Sequence, residues 1–365
     1  MKLISLREQY PALSGQTYLN TASCGVMSRS TAHVAQQFYQ ELLEQGGVPR
    51  ARWSEQIPLL RQEVAEWLGA HEEEVTLLPN FSIASNFVAQ ALSGYSQVLL
   101  LGDDYPSLTM PWVLHCDEVH YVPTEPNGSF DLNRIEQKVK ALNIKVLAIS
   151  HVQYTSGFCV DLEQLGKCCR DWGVISVVDA TQSLGVMPIN LQTMPVDILM
   201  GSGYKWMTAG FGNALLYVRN EVRDSLPAVA IGNNSWDEAT QISTKDDISF
   251  SARTLEVGHY DFSSFLAMRQ AVRELQAIGA AVIAQRVIEL TTYLHDNLPP
   301  TVRILSDYPA PFRSGITIIE GDETLEQRLL KQKVVTSARS RGLRISLHFY
   351  NNEADIDHLC EALTS

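Results

Sequence analysis

Two residues between Ile175 and Gly212 carry side chains that suit one piece of chemistry. Asp179 closes the apolar run Val177-Val178-Asp179, and Lys205 follows inside Ser202-Gly203-Tyr204-Lys205-Trp206. A carboxylate at the end of a buried strand holds a proton on a heteroaromatic nitrogen, and a protonated pyridine is a good electron sink. An amine desolvated beside aromatics has a lowered pKa and condenses with carbonyls to a Schiff base. Together the pair suits a pyridine aldehyde, pyridoxal 5'-phosphate, gripped from two sides. Each residue alone has a plainer reading, Asp179 as the cap of the next helix and Lys205 as a solvated lysine. Gly201, Gly203, Gly210 and Gly212 mark a tight turn around Lys205 and weigh against solvation.

Four further places supply compatible groups. Pro79 to Asn86 joins a strand to a helix, and a helix start with free amides and a hydroxyl at Ser82 is a phosphate cradle; a plain N-cap at Ser82 fits equally well. Ser202 and Tyr204 offer hydroxyls to the same phosphate. Tyr105, after the acidic pair Asp103-Asp104, is a ring able to stack on a flat cofactor or an ordinary loop aromatic. Arg344, flanked by Leu343 and Ile345, is costly to bury unpaired; a substrate carboxylate and a structural salt bridge compete to pair it. Arg339 and Arg341 read as surface charges. The stretch lacks a Walker pattern and the third glycine of a dinucleotide fingerprint.

The elements that position these groups alternate. Strands are expected at Val75–Leu78, Val98–Leu101, Val119–Val122, Val146–Ser150, Ile175–Asp179, Ile198–Gly201 and Ala214–Val218. Most are continuously apolar, as strands buried on both faces are, and helical patterns lie between several of them. A largely parallel seven-stranded α/β sheet follows, with ligands at the strands' carboxyl ends. Ser54 reads as the cap of a helix that ends at Gly69. Residues 1–15 form an N-terminal arm, 16–262 a large cofactor-binding α/β domain, and 263–365 a smaller C-terminal α+β domain. The polar stretch 232–250 reads as a flap that carries specificity.

With 365 residues and 45% hydrophobic content, the chain builds a sizeable core. Its formal charge of −13 disfavours nucleic acid and anionic membrane as partners. No apolar run approaches a membrane span and the N-terminus lacks a secretory pattern, so a cytoplasmic location is expected. The six cysteines suit reduced thiols; none has zinc spacing, and no metal site is expected.

Taken together, VVDATQSLG followed by SGYKW and a glycine-rich turn resembles the class V family of pyridoxal-phosphate enzymes, which includes cysteine desulfurases, kynureninase and isopenicillin N epimerase. The resemblance runs from YLNTASCG to RISLHFYNNEADIDHL. It implies a fold-type-I transferase acting on a small amino-acid substrate through an external aldimine and α-proton removal, most simply aminotransferase-like. Epimerisation, C–S lysis or a non-catalytic cofactor-binding role are the alternatives. It implies that Lys205 carries the cofactor and moves the proton, Asp179 pairs with the ring nitrogen and Gln182 with the ring hydroxyl, and Tyr105 stacks. By the same resemblance Phe81, Ser82, Ser202 and Tyr204 hold the phosphate, Arg344 binds the substrate carboxylate and Asn20 lines the substrate side. A homodimer with its site at the interface is implied, with His259 where a neighbouring subunit completes the phosphate cup; the family usually has a small hydroxyl residue there. Desulfurases of the family carry a loop cysteine before the carboxylate arginine, and VVTSARSRGLR here has none.

Overall fold

The computed structural model describes residues 6–232 and 254–365. Its strands are β1 (Thr17–Tyr18), β2 (Val75–Leu78), β3 (Gln97–Leu101), β4 (Glu118–Val122), β5 (Val146–Ser150), β6 (Ile175–Asp179), β7 (Ile198–Ser202), β8 (Ala214–Val218), β9 (Ile316–Ile319), β10 (Val334–Val335), β11 (Ser337–Arg339) and β12 (Gly342–Ser346). The helices that matter below are α1 (Arg29–Gln45), α2 (Arg50–Leu68), α3 (Phe81–Ala91), α4 (Pro106–His115), α5 (Leu132–Leu142), α6 (Leu162–Trp172), α7 (Phe262–Ile278) and α8 (Ala280–Asn297).

Strands β2 to β8 form one seven-stranded sheet in the order β2-β8-β7-β6-β5-β3-β4. Every neighbouring pair is parallel except those of β8, which runs against both β2 and β7. All five positions of β5, β7 and β8 are buried, which is why these strands read as unbroken apolar runs. Alternate residues feed two cores. Leu99, Leu147, Val178 and Leu199 enter one, and Val98, Ala148, Val177 and Met200 enter the other, following the two-residue period of the pleat. The edge strand β4 departs from this pattern, with Glu118 and Tyr121 exposed. Because the inner strands are parallel, Ser150, Asp179 and the approach to Lys205 emerge on the same rim.

A three-stranded antiparallel sheet, β11-β12-β9, forms the core of a smaller C-terminal unit. The N-terminal segment crosses over to it: β1 pairs in parallel with β10, and Asn20 bridges to Ser346. This crossing delivers residues 20–25 to the rim of the large sheet. Gly25 N donates to Tyr204 O at 2.9 Å. A Cβ on Gly25 would lie 1.9 Å from Lys205 O, so only glycine lets the two loops touch.

Ser54 is not a helix cap. The α2 helix begins at Arg50, directly after Pro49, and Ser54 lies exposed within it. The glycine pair Gly46-Gly47 and the fixed φ of Pro49 turn the chain four residues before the hydroxyl is reached. Gly69 does end the helix, in the left-handed region. The stretch read as a flap lies outside the described residues from 233 on, as do residues 1–5 of the expected arm. Among the described residues no single helix is long and apolar enough to cross a membrane.

One buried ion pair fastens the chain where it returns at residue 254. Arg61 donates to both Glu256 oxygens at 2.6 and 2.7 Å, and Leu77 N and Tyr260 Oη donate to the same carboxylate at 2.7 and 2.5 Å. Removing one partner leaves an uncompensated charge in a dry site. Glu256→Ala is therefore expected to lower unfolding free energy by about 3–5 kcal/mol, read by denaturant titration. A loss below about 1 kcal/mol would show that solvent reaches Arg61.

Candidate active site

The carboxylate of Asp179 ends β6, beside Ser150 and Met200 on the flanking strands. It is buried, and its Oδ1 accepts from Thr181 N at 2.8 Å. Burial raises its pKa above the usual carboxylate range, against the pull of the Thr181 bonds. Lys205 stands in the loop after β7, 6% exposed. Its Nζ lies 5.4 Å from the Tyr105 ring centre and 5.6 Å from that of Tyr204. Burial lowers its pKa; Asp179 opposes the shift, while Arg344 and Arg339 reinforce it. No carboxylate among the described residues lies within ion-pair distance of this amine.

Close packing fixes the Lys205 loop. A Cβ on Gly203 would meet Asn213 Oδ1 at 1.9 Å. Thr208, three residues on, holds φ at 56°, a region that β-branched residues avoid. Its N–H donates to Lys205 O at 3.0 Å. Gln182 ties in the neighbouring turn: its Oε1 accepts from Trp206 Nε1 at 2.7 Å and its Nε2 donates to Ala22 O at 3.1 Å. One N–H of that amide is left for another acceptor.

At the opposite end, α3 opens on Asn80, whose side chain accepts from Ile83 N at 3.0 Å. The cap is thus Asn80 and not Ser82. Ser82 sits one position into the helix and donates to Ser107 Oγ at 3.1 Å. Ser107 lies in the first turn of α4, so two helix N-termini meet there, each with amides that lack an intrahelical acceptor. Phe81 puts its ring into the core and leaves its backbone at this helix start. Ser202 is buried at the end of β7. The Tyr204 ring stacks on Phe211 at 4.6 Å. His259 stands elsewhere: its Nδ1 lies 3.4 Å from Arg50 Nη2, and no hydrogen bond joins it to Phe81, Ser82, Ser202 or Tyr204.

Tyr105 is held by a carboxylate that its sequence neighbourhood showed only as part of an acidic pair. Asp104 is buried and accepts from Tyr105 N at 2.7 Å, Ser150 N at 2.8 Å, Ser150 Oγ at 2.5 Å and Gln153 Nε2 at 3.3 Å. It locks the end of β3 to the end of β5. The Tyr105 ring also meets Tyr154 edge-on, 5.2 Å between centres and 79° between planes.

Arg344 lies in β12 at 1% exposure. Its Nη1 donates to Tyr154 O at 3.0 Å and its Nη2 to Ser23 Oγ at 2.6 Å, while Nε has no partner among the described residues. Burial and the neighbouring Arg339 push its pKa down to about 9. The structural salt bridge that competed for this residue has no acid to form it among the described residues. Asn20 Oδ1, on the segment that bridges to β12, is also buried without a partner. Arg339 is no free surface charge, because its Nη2 donates to Ser23 Oγ at 2.9 Å beside Arg344. Nor is Arg341, which bonds Asp103 Oδ2 and Pro126 O, both at 2.7 Å. The cysteine-free run before Arg344 is a hairpin closed between Arg339 and Gly342, too short for a mobile loop.

These groups fit pyridoxal phosphate. An unpaired buried amine faces an aromatic, a buried carboxylate has a raised pKa, and two helix starts offer amides for a phosphate. The sequence profile described as aminotransferase class-V matches residues 17–323.

The chain belongs to the class-V aminotransferase family.

Members of this family are pyridoxal-phosphate-dependent enzymes. Two curated relatives are similar over nearly their whole lengths. An uncharacterised aminotransferase, YcbU, of Bacillus subtilis is 26% identical, covering 98% of this chain and 96% of the relative. The isopenicillin N epimerase of Amycolatopsis lactamdurans is 28% identical over the same shares. The fold-type-I architecture is shared with solved structures. The apo cysteine desulfurase of Thermococcus onnurineus superposes with a TM-score of 0.89 at 20% identity, covering 98% of this chain and 96% of that one. C-DES with glycine covalently linked to its pyridoxal-phosphate cofactor superposes with a TM-score of 0.90 at 19% identity, covering 98% and 99%. Sequence reasoning missed Asp104, Ser23 and Tyr154 and misassigned Arg339. Only Asp104 left a trace, as a charge beside an aromatic at a strand end.

Proposed function

We propose that this class-V enzyme binds pyridoxal 5'-phosphate at Lys205 and removes the α-proton of an amino acid. The buried amine of Lys205, without an ion pair among the described residues and under the electrostatic influence of the buried Asp179 carboxylate, carries the reading. Bound there, the cofactor supplies an electron sink for negative charge at the α-carbon. Lys205 Nζ is its covalent anchor and takes the α-proton, and a lowered pKa suits that task near neutral pH. Asp179 keeps a proton on the ring nitrogen. Tyr105 stacks on the ring, and Gln182 offers its remaining N–H to the ring hydroxyl. Phe81, Ser82, Ser202 and Tyr204 receive the phosphate. Arg344 takes the substrate carboxylate with its unpartnered Nε edge, and Asn20 lines the same side.

Transamination, epimerisation and C–S elimination share the α-proton step, and aminotransferase chemistry is the simplest outcome for these residues. Desulfurase transfer of sulfur to an enzyme thiol is disfavoured, since the hairpin before Arg344 holds no thiol. The same reading includes a homodimer in which His259 approaches a partner's phosphate end, a cytoplasmic location, and a division of the chain near residue 262. The test is spectral. Purified protein given pyridoxal phosphate should develop a visible absorbance band that an amino acid perturbs, with keto acid, inverted stereocentre or sulfide as product. Protein that stays colourless with the cofactor in excess sinks the proposal.

A further inference from the structure

The hairpin that carries Arg344 carries a second arginine with no acid paired to it among the described residues. The antiparallel register pairs Ser337 with Arg344 and Arg339 with Gly342, which puts Arg339 and Arg344 on one face, diagonally related. Both donate to a single oxygen, Ser23 Oγ, at 2.9 and 2.6 Å. A hydroxyl brings no charge. No carboxylate among the described residues lies within ion-pair distance of either guanidinium. Glu320, Asp322 and Glu323 share a cleft of about 830 Å³ with Arg339, yet none bonds it. Arg341, in the turn between them, is already answered by Asp103. Two adjoining guanidiniums repel each other and are costly to hold half-desolvated unless a ligand brings the anions.

We propose that this pair selects an amino acid with a second anionic group, a carboxylate or sulfonate on its side chain, with Arg344 on the α-carboxylate and Arg339 on the side-chain anion. The inference deepens the proposed function and rests on it. Arg344 presents Nε, free of partners among the described residues, next to Nη2, which gives one of its two N–H groups to Ser23, and that edge suits one carboxylate. One carboxylate there neutralises one charge and leaves Arg339 unanswered. Arg339 commits Nη1 to Ala338 O and Nη2 to Ser23 Oγ, and the remaining N–H groups of its fork are open to an oxyanion. Ser23 Oγ ties the two heads side by side at fixed positions, and with the Nε edge of Arg344 taken by the α-carboxylate the anion on Arg339 comes from a different part of the ligand.

The experiment titrates the holoprotein with aspartate, glutamate and cysteate, and with asparagine and glutamine as uncharged counterparts, following the cofactor band. A second arm measures the thermal shift of the apo-protein with succinate and glutarate against butyrate. Acidic amino acids should bind about tenfold to a hundredfold more tightly than their amides, as a charge-assisted pair gives. In Arg339→Gln this ratio should collapse to near one, whereas Arg344→Gln should weaken acid and amide alike. Equal affinity for acids and amides in the wild type overturns the proposal. So does an Arg339→Gln variant that weakens both by one common factor, which would put both arginines on the α-carboxylate. Should that variant not fold, equal shifts by dicarboxylates and butyrate overturn it in the wild type. Protein that takes up no cofactor fails the proposed function instead, and the apo-protein arm still decides this one.

Discussion

Lys205→Ala is expected to abolish the visible band that pyridoxal phosphate gives with the wild type and to slow α-proton exchange by about 10²–10⁴-fold, the range of a positioned general base. The wild-type amine is 6% exposed and lies 5.4 Å from the Tyr105 ring centre. Burial is the main cause of its lowered pKa, so much of it is neutral and nucleophilic at a pH where a solvated lysine is charged. Alanine deletes the proposed anchor and base together but leaves the backbone packing of Gly25 against the loop intact. Deuterium exchange at the α-carbon, monitored by NMR beside far-UV circular dichroism, separates lost chemistry from lost fold. Exchange within threefold of wild type would remove Lys205 from the mechanism. A pH signature accompanies this. Since the folded-state pKa of Lys205 lies below its unfolded value of about 10.4, the native apo-protein binds fewer protons between the two. Stability from this group therefore rises with pH across that window. In Lys205→Ala that rise should disappear.

Asp179→Asn should give the second-largest loss, about 10²–10³-fold in turnover, as expected when a preorganised charge is removed from a dry site. Asparagine keeps the shape and the acceptor for Thr181 N, which lies 2.8 Å from Asp179 Oδ1. What it loses is the negative charge proposed to hold a proton on the ring nitrogen. Stability should move the other way. Burial raises the folded pKa of Asp179 above its unfolded value of about 3.9, so the apo-protein loses stability as pH climbs through that interval. The asparagine variant lacks this loss, and its apo form should be as stable as the wild type, or more so, at neutral pH. Equal turnover in variant and wild type would detach Asp179 from the cofactor.

Asp179 and Lys205 illustrate how far local sequence reaches. Val177-Val178-Asp179 forms a strand with its acid at the rim because an apolar run of that length between helices is buried on both faces. Six of the seven large-sheet strands run parallel for the same reason, as alternation with helices requires. The turn around Lys205 was legible because its glycines are needed where backbones touch. Each of these is decided by residues within a few positions, and local preferences suffice to set it.

Tertiary structure alone decided the rest. Ser23 meets Arg344 across 321 residues and Arg339 across 316, a distance over which no spacing carries information. That meeting exists because β1 adds to β10 and swings residues 20–25 across to the small sheet. Whether Arg344 was paired depended on which acids the fold brought near, and among the described residues it brought none. Asn80 took the cap that Ser82 competed for, because the helix begins at Phe81 and so places the cap two residues before Ser82, where Asn80 accepts from Ile83 N. Asp104 became the support of Tyr105 only once β5 placed Ser150 beside it. Residue types and short-range periodicity thus determined which chemistry the chain holds. Long-range packing, which sets which charges face each other unscreened, decided which of these groups meet and which are left without a partner among the described residues.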